Sequence, residues 1–219
     1  MPLSAVLLDI EGTICPIVFV KEVLFPYFLQ QVETLLKSED PKVQKLLRDF
    51  GVDDVESHIR RLVSHDIKDP ILKQLQGLVW NDGYAGGQLA APVYADAIKY
   101  IQTTDRSVYI YSSGSVQAQK LLLQYVSAAD KSIDLRPHIK DYYDIKTTGI
   151  KTDPASYSKI IQEIGCKPEE VLFISDNTSE LDAAQECGMQ TKLAIRPGNY
   201  PVDNASDYDT ITDFGELSQ

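Results

Sequence analysis

Cysteine is scarce in this 219-residue chain: Cys15, Cys166 and Cys187 are an odd number with no close paired spacing. That argues against a disulfide framework and a zinc knuckle, and points to a reducing compartment. Histidine is equally rare. His58, His65 and His138 form no His-x-x-x-His pair, which argues against a histidine-based metal site or catalytic triad and leaves them as surface or packing residues. Positive charge is the minority sign, with 21 Lys plus Arg against 32 Asp plus Glu and a formal net charge of −11. A backbone-gripping nucleic-acid protein would carry the opposite sign. No apolar run approaches the length of a membrane span, and the first residues lack the basic-then-apolar pattern of a secretory signal. The expectation is a soluble cytoplasmic chain, with the nucleus as a second compartment, and no nucleic-acid or membrane partner.

What is present begins at the first residues. Ser4-Ala5-Val6-Leu7-Leu8-Asp9-Ile10-Glu11-Gly12-Thr13 is a buried-type strand that stops at a carboxylate. A carboxylate placed there sits on the rim where α/β sheets bind ligands. Glu11 adds a second one in the same turn, and Gly12-Thr13 supplies a tight loop whose amides and hydroxyl suit an anion. The net negative charge repels a phosphorylated substrate at long range, so a phosphate site must bring its own cation, either a lysine or a metal.

After this strand the pattern turns helical and stays so. Val18, Phe19, Val23, Leu24 and Tyr27, then Val32, Leu35 and Leu36, recur at helical spacing, with Pro26 implying a kink or break. Pro41, Val55 and Ile71 open three further helical stretches. No strand interrupts them, and the interval far exceeds the dozen or so residues that a βαβ crossover needs. Residues 16–87 are therefore read as an inserted helical subdomain, between 1–15 and 88–219 of a catalytic core. The Gly-rich stretch Asn81–Gly87 is read as its second linker, a turn or hinge.

Beyond Pro92, helix and strand alternate. Helices are expected over Tyr94–Ile101, Val116–Val126, Pro154–Ile164 and Leu181–Cys187, and strands over Val108–Tyr111, Tyr142–Ile145, Val171–Ile174 and Lys192–Ile195. Such alternation predicts an α/β fold, a Rossmann-like parallel sheet with helices on both faces.

Three of these strands end in polar residues. Val108–Tyr111 runs into Ser112-Ser113-Gly114-Ser115, hydroxyls and amides at a helix N-terminus and so a candidate anion site. Ser115 alone fits an ordinary helix cap, but that leaves Ser112 at the strand end unexplained, where a hydroxyl suits a transferring phosphoryl oxygen. Val171–Ile174 runs into Ser175-Asp176-Asn177-Thr178-Ser179-Glu180, which places Asp176 on the same sheet edge as Asp9. Asp176 reads as a Mg²⁺ ligand or as a helix cap. The required lysine is Lys151, just before the helix at Pro154, or its rival Lys146.

Taken in order, Asp9-x-Glu11-Gly12-Thr13, the Ser112 strand end, Lys151 and Ser175-Asp176-x-x-x-Glu180 resemble the four motifs of the haloacid dehalogenase superfamily, with a helical cap after the first. Most phosphatases of that superfamily carry Asp where Glu11 stands. Within it the chain is similar to the enolase-phosphatases of methionine salvage, the acireductone synthases. The similarity lies in Leu8–Thr13, Phe19–Tyr27, Lys73–Gly77, Tyr109–Ser115 and Arg196-Pro197-Gly198-Asn199. The resemblance implies conversion of a small phosphorylated methylthio diketone to an acireductone, by enolisation and then phosphate hydrolysis, with one Mg²⁺ per chain and a monomeric protein. It implies Asp9 as nucleophile and metal ligand, and Asp176 as the other carboxylate ligand. Glu11 would be acid, base and a contributor to the metal site, commonly through its main-chain carbonyl, while Ser112, Ser113 and Lys151 grip the substrate. Two alternatives stay open: another capped phosphatase or phosphomutase acting on a sugar phosphate, or a regulatory domain that accepts phosphate on Asp9.

Overall fold

The computed structural model describes residues 2–129 and 131–218. These divide into two compact units, one formed by residues up to Phe19 together with those from Ala90 onward, the other by Val20–Leu89.

The chain opens with β1 (Ala5–Leu8), wholly buried. The second unit is helical: α1 (Phe25–Gln30), α2 (Val32–Leu36), α3 (Pro41–Asp49), α4 (Val55–Ser64) and α5 (Pro70–Ala85). A π-helical stretch, Val20–Leu24, leads into α1. Pro26 sits in the first turn of α1, where its missing N–H costs nothing, so the break expected there is a change of helix type. Asp40, Asp54 and Asp69 accept main-chain N–H groups at the starts of α3, α4 and α5. The apolar faces meet around Phe28, Val32, Ile59 and Leu75, all fully buried. The Trp80 indole donates to the Leu24 carbonyl at 3.0 Å.

One expectation is corrected here. Within Asn81–Gly87, Asn81–Ala85 is the last part of α5, and the expected turn comes only at Gly86 and Gly87, the latter with φ +76°. Gly83 is needed for close packing: a Cβ on it would stand 2.7 Å from the Tyr27 ring. Helix propensity against glycine is overridden by that contact.

The first unit continues with α6 (Ala95–Thr103), β2 (Ser107–Tyr111), α7 (Val116–Gln124), β3 (Val126–Ala128), β4 (Lys131–Ile133) and β5 (Ile139–Tyr143). It ends with α8 (Pro154–Ile164), β6 (Val171–Ser175), α9 (Thr178–Glu186), β7 (Gln190–Ala194) and β8 (Thr210–Ile211). Six strands form a parallel sheet in the order β5-β2-β1-β6-β7-β8. The chain steps outward from β1 on one side through β2 and β5, then returns to the other side for β6, β7 and β8. With right-handed crossovers, opposite directions of travel put the helices on opposite faces. The reversal point lies at the C-terminal end of β1, where open α/β sheets bind ligands.

Three further corrections concern short strands. Val126, expected as the end of a helix, begins β3, which pairs antiparallel with β4 in a separate hairpin. The weak strand expected at 142–145 runs from Ile139 to Tyr143, because the Asp144 side chain turns the chain by accepting the amides of Lys146 and Thr147, each at 2.9 Å. The two-residue β8 was not expected. Among the described residues no helix is long and apolar enough to cross a membrane.

Candidate active site

Sheet hydrogen bonding continues one residue past β1, with the Asp9 amide donating to the Ile174 carbonyl at 3.0 Å. That bond holds the Asp9 backbone against β6. The carboxylate is buried, with Oδ1 accepting from the Ile10 amide at 2.8 Å and Oδ2 lying 3.3 Å from the Ser175 hydroxyl. The chain then wraps on itself: the amides of Thr13, Ile14 and Cys15 all point at the Ile10 carbonyl, and the Gly12 amide bonds the Cys15 carbonyl. Gly12 has φ +70°, and a Cβ on it would stand 2.2 Å from Asp176 Oδ2. Glycine is what lets this turn close over Asp176.

Lys151 is buried with its Nζ 2.7 Å from Asp9 Oδ1 and 2.6 Å from Glu180 Oε2. Its loop is fixed by tyrosines beneath: Tyr111 donates to the Gly149 carbonyl and Tyr157 to that of Lys151, both at 2.7 Å. Burial pushes the ammonium down, but the Asp9 and Glu180 carboxylates outweigh it and hold Lys151 above the ordinary lysine value. The rival Lys146 is exposed. Asp176 follows β6, and its carboxyl is pushed up to about 7 by burial and then by the Asp9 and Glu180 charges. The helix cap is Asn177, whose side chain accepts the Ser179 amide, so Asp176 is left facing the site.

On the other flank Ser112 is buried at the end of β2, its hydroxyl accepting the Gly114 amide at 3.2 Å, while Ser113 is exposed. The amides expected to serve an anion here are partly spent inside the protein. Val116 N–H goes to Asp144 Oδ2 at 3.1 Å, and Ala118 N–H goes to the Ser115 hydroxyl at 3.3 Å, Ser115 being the N-cap of α7. Burial pushes Asp144 up, but the amides of Thr147, Val116 and Lys146 that bond its carboxylate hold it below the usual range. Gln119, buried on α7, clamps the same loop by donating to the carbonyls of Gly114 and Tyr143, each at 2.8 Å.

Asp9, Glu11, Ser112, Ser113, Lys151 and Asp176 thus line one cavity of about 430 Å³, joined by Asn177, Thr178 and Glu180 and by Ile17, Tyr200, Pro201 and Val202. Glu180 closes the fourth motif, yet the sequence alone gives it no role. Gln119 and Asp144 gave no signal except polarity at positions that the helix and strand patterns bury. Four carboxylates against one ammonium make a poor phosphate site and a good cation site. Among the described residues no three His, Cys, Asp or Glu side chains converge as a metal-binding group. Mg²⁺ does not require three, since it takes one or two carboxylates with carbonyl oxygens and waters, and the donor set of Asp9, Asp176 and the Gly12 turn suits it.

A strand-end carboxylate at the reversal point, a buried lysine against it and a second carboxylate after the adjacent strand stand together on one sheet edge. The family model of the haloacid dehalogenase-like hydrolases matches residues 3–188. The chain belongs to that family. A protein of Lachancea thermotolerans named Enolase-phosphatase E1 is 62% identical over 217 residues, covering 99% of this chain and all of that one. Its namesake in Kluyveromyces lactis is 52% identical, over 96% of this chain and 97% of that one. The crystal structure of the UTR4 protein of Saccharomyces cerevisiae superposes with a TM-score of 0.90 at 52% identity, covering 97% of this chain and 98% of that one. In this haloacid dehalogenase-like hydrolase the two short ion pairs of Lys151 fix its ammonium between the Asp9 carboxylate after β1 and the Glu180 carboxylate on α9.

Proposed function

We propose that the chain is an enolase-phosphatase of methionine salvage, converting 2,3-diketo-5-methylthiopentyl-1-phosphate and water to 1,2-dihydroxy-3-keto-5-methylthiopentene and phosphate. The observation that carries this reading is the near-complete, 62% identical match to an Enolase-phosphatase E1. A nucleophile, a lysine and acidic residues gathered at one sheet edge supply the chemistry it needs.

Asp9 attacks phosphorus and forms an aspartyl phosphate, while the bond to the ester oxygen breaks. Glu11 protonates the departing oxygen and then takes a proton from the water that cleaves the aspartyl phosphate. Lys151 offsets charge on the phosphoryl oxygens, and Ser112 and Ser113 hold them. The Asp9 and Asp176 carboxylates, with the Glu11 main-chain carbonyl, would hold one Mg²⁺, which when bound neutralises the phosphate and acidifies the C–H beside a carbonyl. Within this reading the helical insertion is the cap, and the protein works as a cytoplasmic monomer on a small phosphorylated diketone.

The test follows enol absorbance and phosphate release together on the diketo phosphate. Both signals with Mg²⁺ present support the reading. Phosphate release from sugar phosphates without an enol signal on the diketone overturns it.

A further inference from the structure

We propose that Ile17, Tyr200, Pro201 and Val202 form an apolar subsite for the alkylthio end of the substrate, a proposal that rests on the function above. Two chemically distinct sets of residues line the cavity. Every other residue lining it is charged or carries a hydroxyl or amide, whereas these four present hydrocarbon or an aromatic ring. A phosphate and two carbonyls suit the first set. The remaining methylthioethyl group has nothing to gain from carboxylates and needs the second.

Tyr200 is 70% exposed, the most exposed large hydrophobic residue of the described chain. An aromatic ring left in water on the rim of a polar cavity finds apolar area only when something apolar lies against it. Its loop is built to hold that position. Asn199, the preceding residue, donates its side-chain amide to the Gly12 carbonyl at 2.8 Å and to the Ala194 carbonyl at 3.2 Å. Arg196 is paired with Asp96 at 2.6 and 2.8 Å and lies 4.1 Å over the Tyr94 ring. On the far side Val202 packs against the buried core. The ring is therefore carried by a loop tied down before and after it.

The test measures kcat/KM for 1-phospho-2,3-diketones whose far end lengthens from methyl to methylthioethyl, and separately for plain alkyl phosphates of matching length. Wild type should gain roughly twofold to fourfold per added methylene. Tyr200→Ala should flatten that dependence to within about twofold across the series, and Tyr200→Phe should keep it. No dependence in wild type, or an unaltered dependence in Tyr200→Ala, would overturn the subsite. If the diketo phosphates are not turned over while the alkyl series still shows the dependence, the proposed function fails and the subsite stands. Turnover of the diketones without any dependence gives the reverse.

Discussion

The side-chain amide of Asn199 donates to the main-chain carbonyl of Gly12 at 2.8 Å, tying the loop after β7 to the turn after β1. The brace acts on a turn with no slack, since Gly12 already excludes a Cβ by its approach to Asp176. Glu11, which lines the cavity, precedes this glycine, so the bond steadies the turn that carries it.

Asn199→Asp keeps the shape but sets a carboxylate oxygen against a carbonyl. It should cost about 1–3 kcal/mol in denaturant unfolding. The Mg²⁺ concentration giving half-maximal activity should rise as well. A Mg²⁺ titration identical to wild type would show that the Gly12 turn is set without Asn199.

The two lysines should separate cleanly. Lys151→Ala should lower kcat/KM by on the order of 3 kcal/mol, roughly 150-fold, as for other electrostatic donors in active sites. It also strands Asp9 and Glu180 as buried carboxylates without their cation, so thermal stability should fall. Lys146→Ala, at an exposed position, should stay within about twofold of wild type. Reversal of that order in steady-state rates would place the phosphate elsewhere.

Asp9→Asn should abolish phosphate release while leaving the fold intact, because the amide keeps the carboxylate's shape and is a poor nucleophile. Glu11→Gln should slow release by about 100- to 10,000-fold and allow phosphorylated Asp9 to accumulate, detectable by intact-protein mass as a phosphate adduct. Enol absorbance should still appear in Glu11→Gln if another base serves enolisation. Normal phosphate release in that variant would remove Glu11 from the acid and base role.

Acid stability should depend on Asp96. Burial pushes its carboxyl up, but the Arg196 guanidinium and the Phe214 amide outweigh this and hold it below the ordinary 3.8. A carboxyl depressed in the folded state adds stability that is complete above its unfolded value, about 3.9, and is lost as pH falls through the folded value. The melting temperature of Asp96→Asn should therefore lie below wild type at pH 7, and the gap should narrow below about pH 4. A gap that stays constant down to pH 3 would show that Asp96 contributes by packing alone.

Strand ends were legible because each apolar run stops at a polar residue whose chemistry is specific, a carboxylate at Asp9 and Asp176 and a hydroxyl at Ser112. Lys151 could be chosen over Lys146 from its place before Pro154, and the structure brings Lys151 and not Lys146 to Asp9. Gln119, Asp144 and Asn199 were not legible as parts of the site, since each acts on carbonyls or amides that only the folded topology brings near. Asn199 lies in the Arg196–Asn199 string, where nothing in its neighbours marks it as a brace. The hairpin of β3 and β4 escaped because three-residue, half-exposed strands show no alternation. Within Asn81–Gly87 the glycines signal a turn that comes only at Gly86 and Gly87, and only the Tyr27 ring shows that Gly83 serves packing.

The central place of β1 in the sheet has a consequence for synthesis. Ala5–Leu8 leaves the ribosome well before its partners, Ser107–Ile110 on one edge and Val171–Ile174 on the other. Contacts of such long sequence separation close late, whereas the helices α1 to α5 form a compact unit within Val20–Leu89. During translation a wholly apolar strand therefore waits with one edge open until Ser107–Ile110 emerge and with the other open until Val171–Ile174 emerge, exposed meanwhile to chaperones and to pairing with other nascent chains.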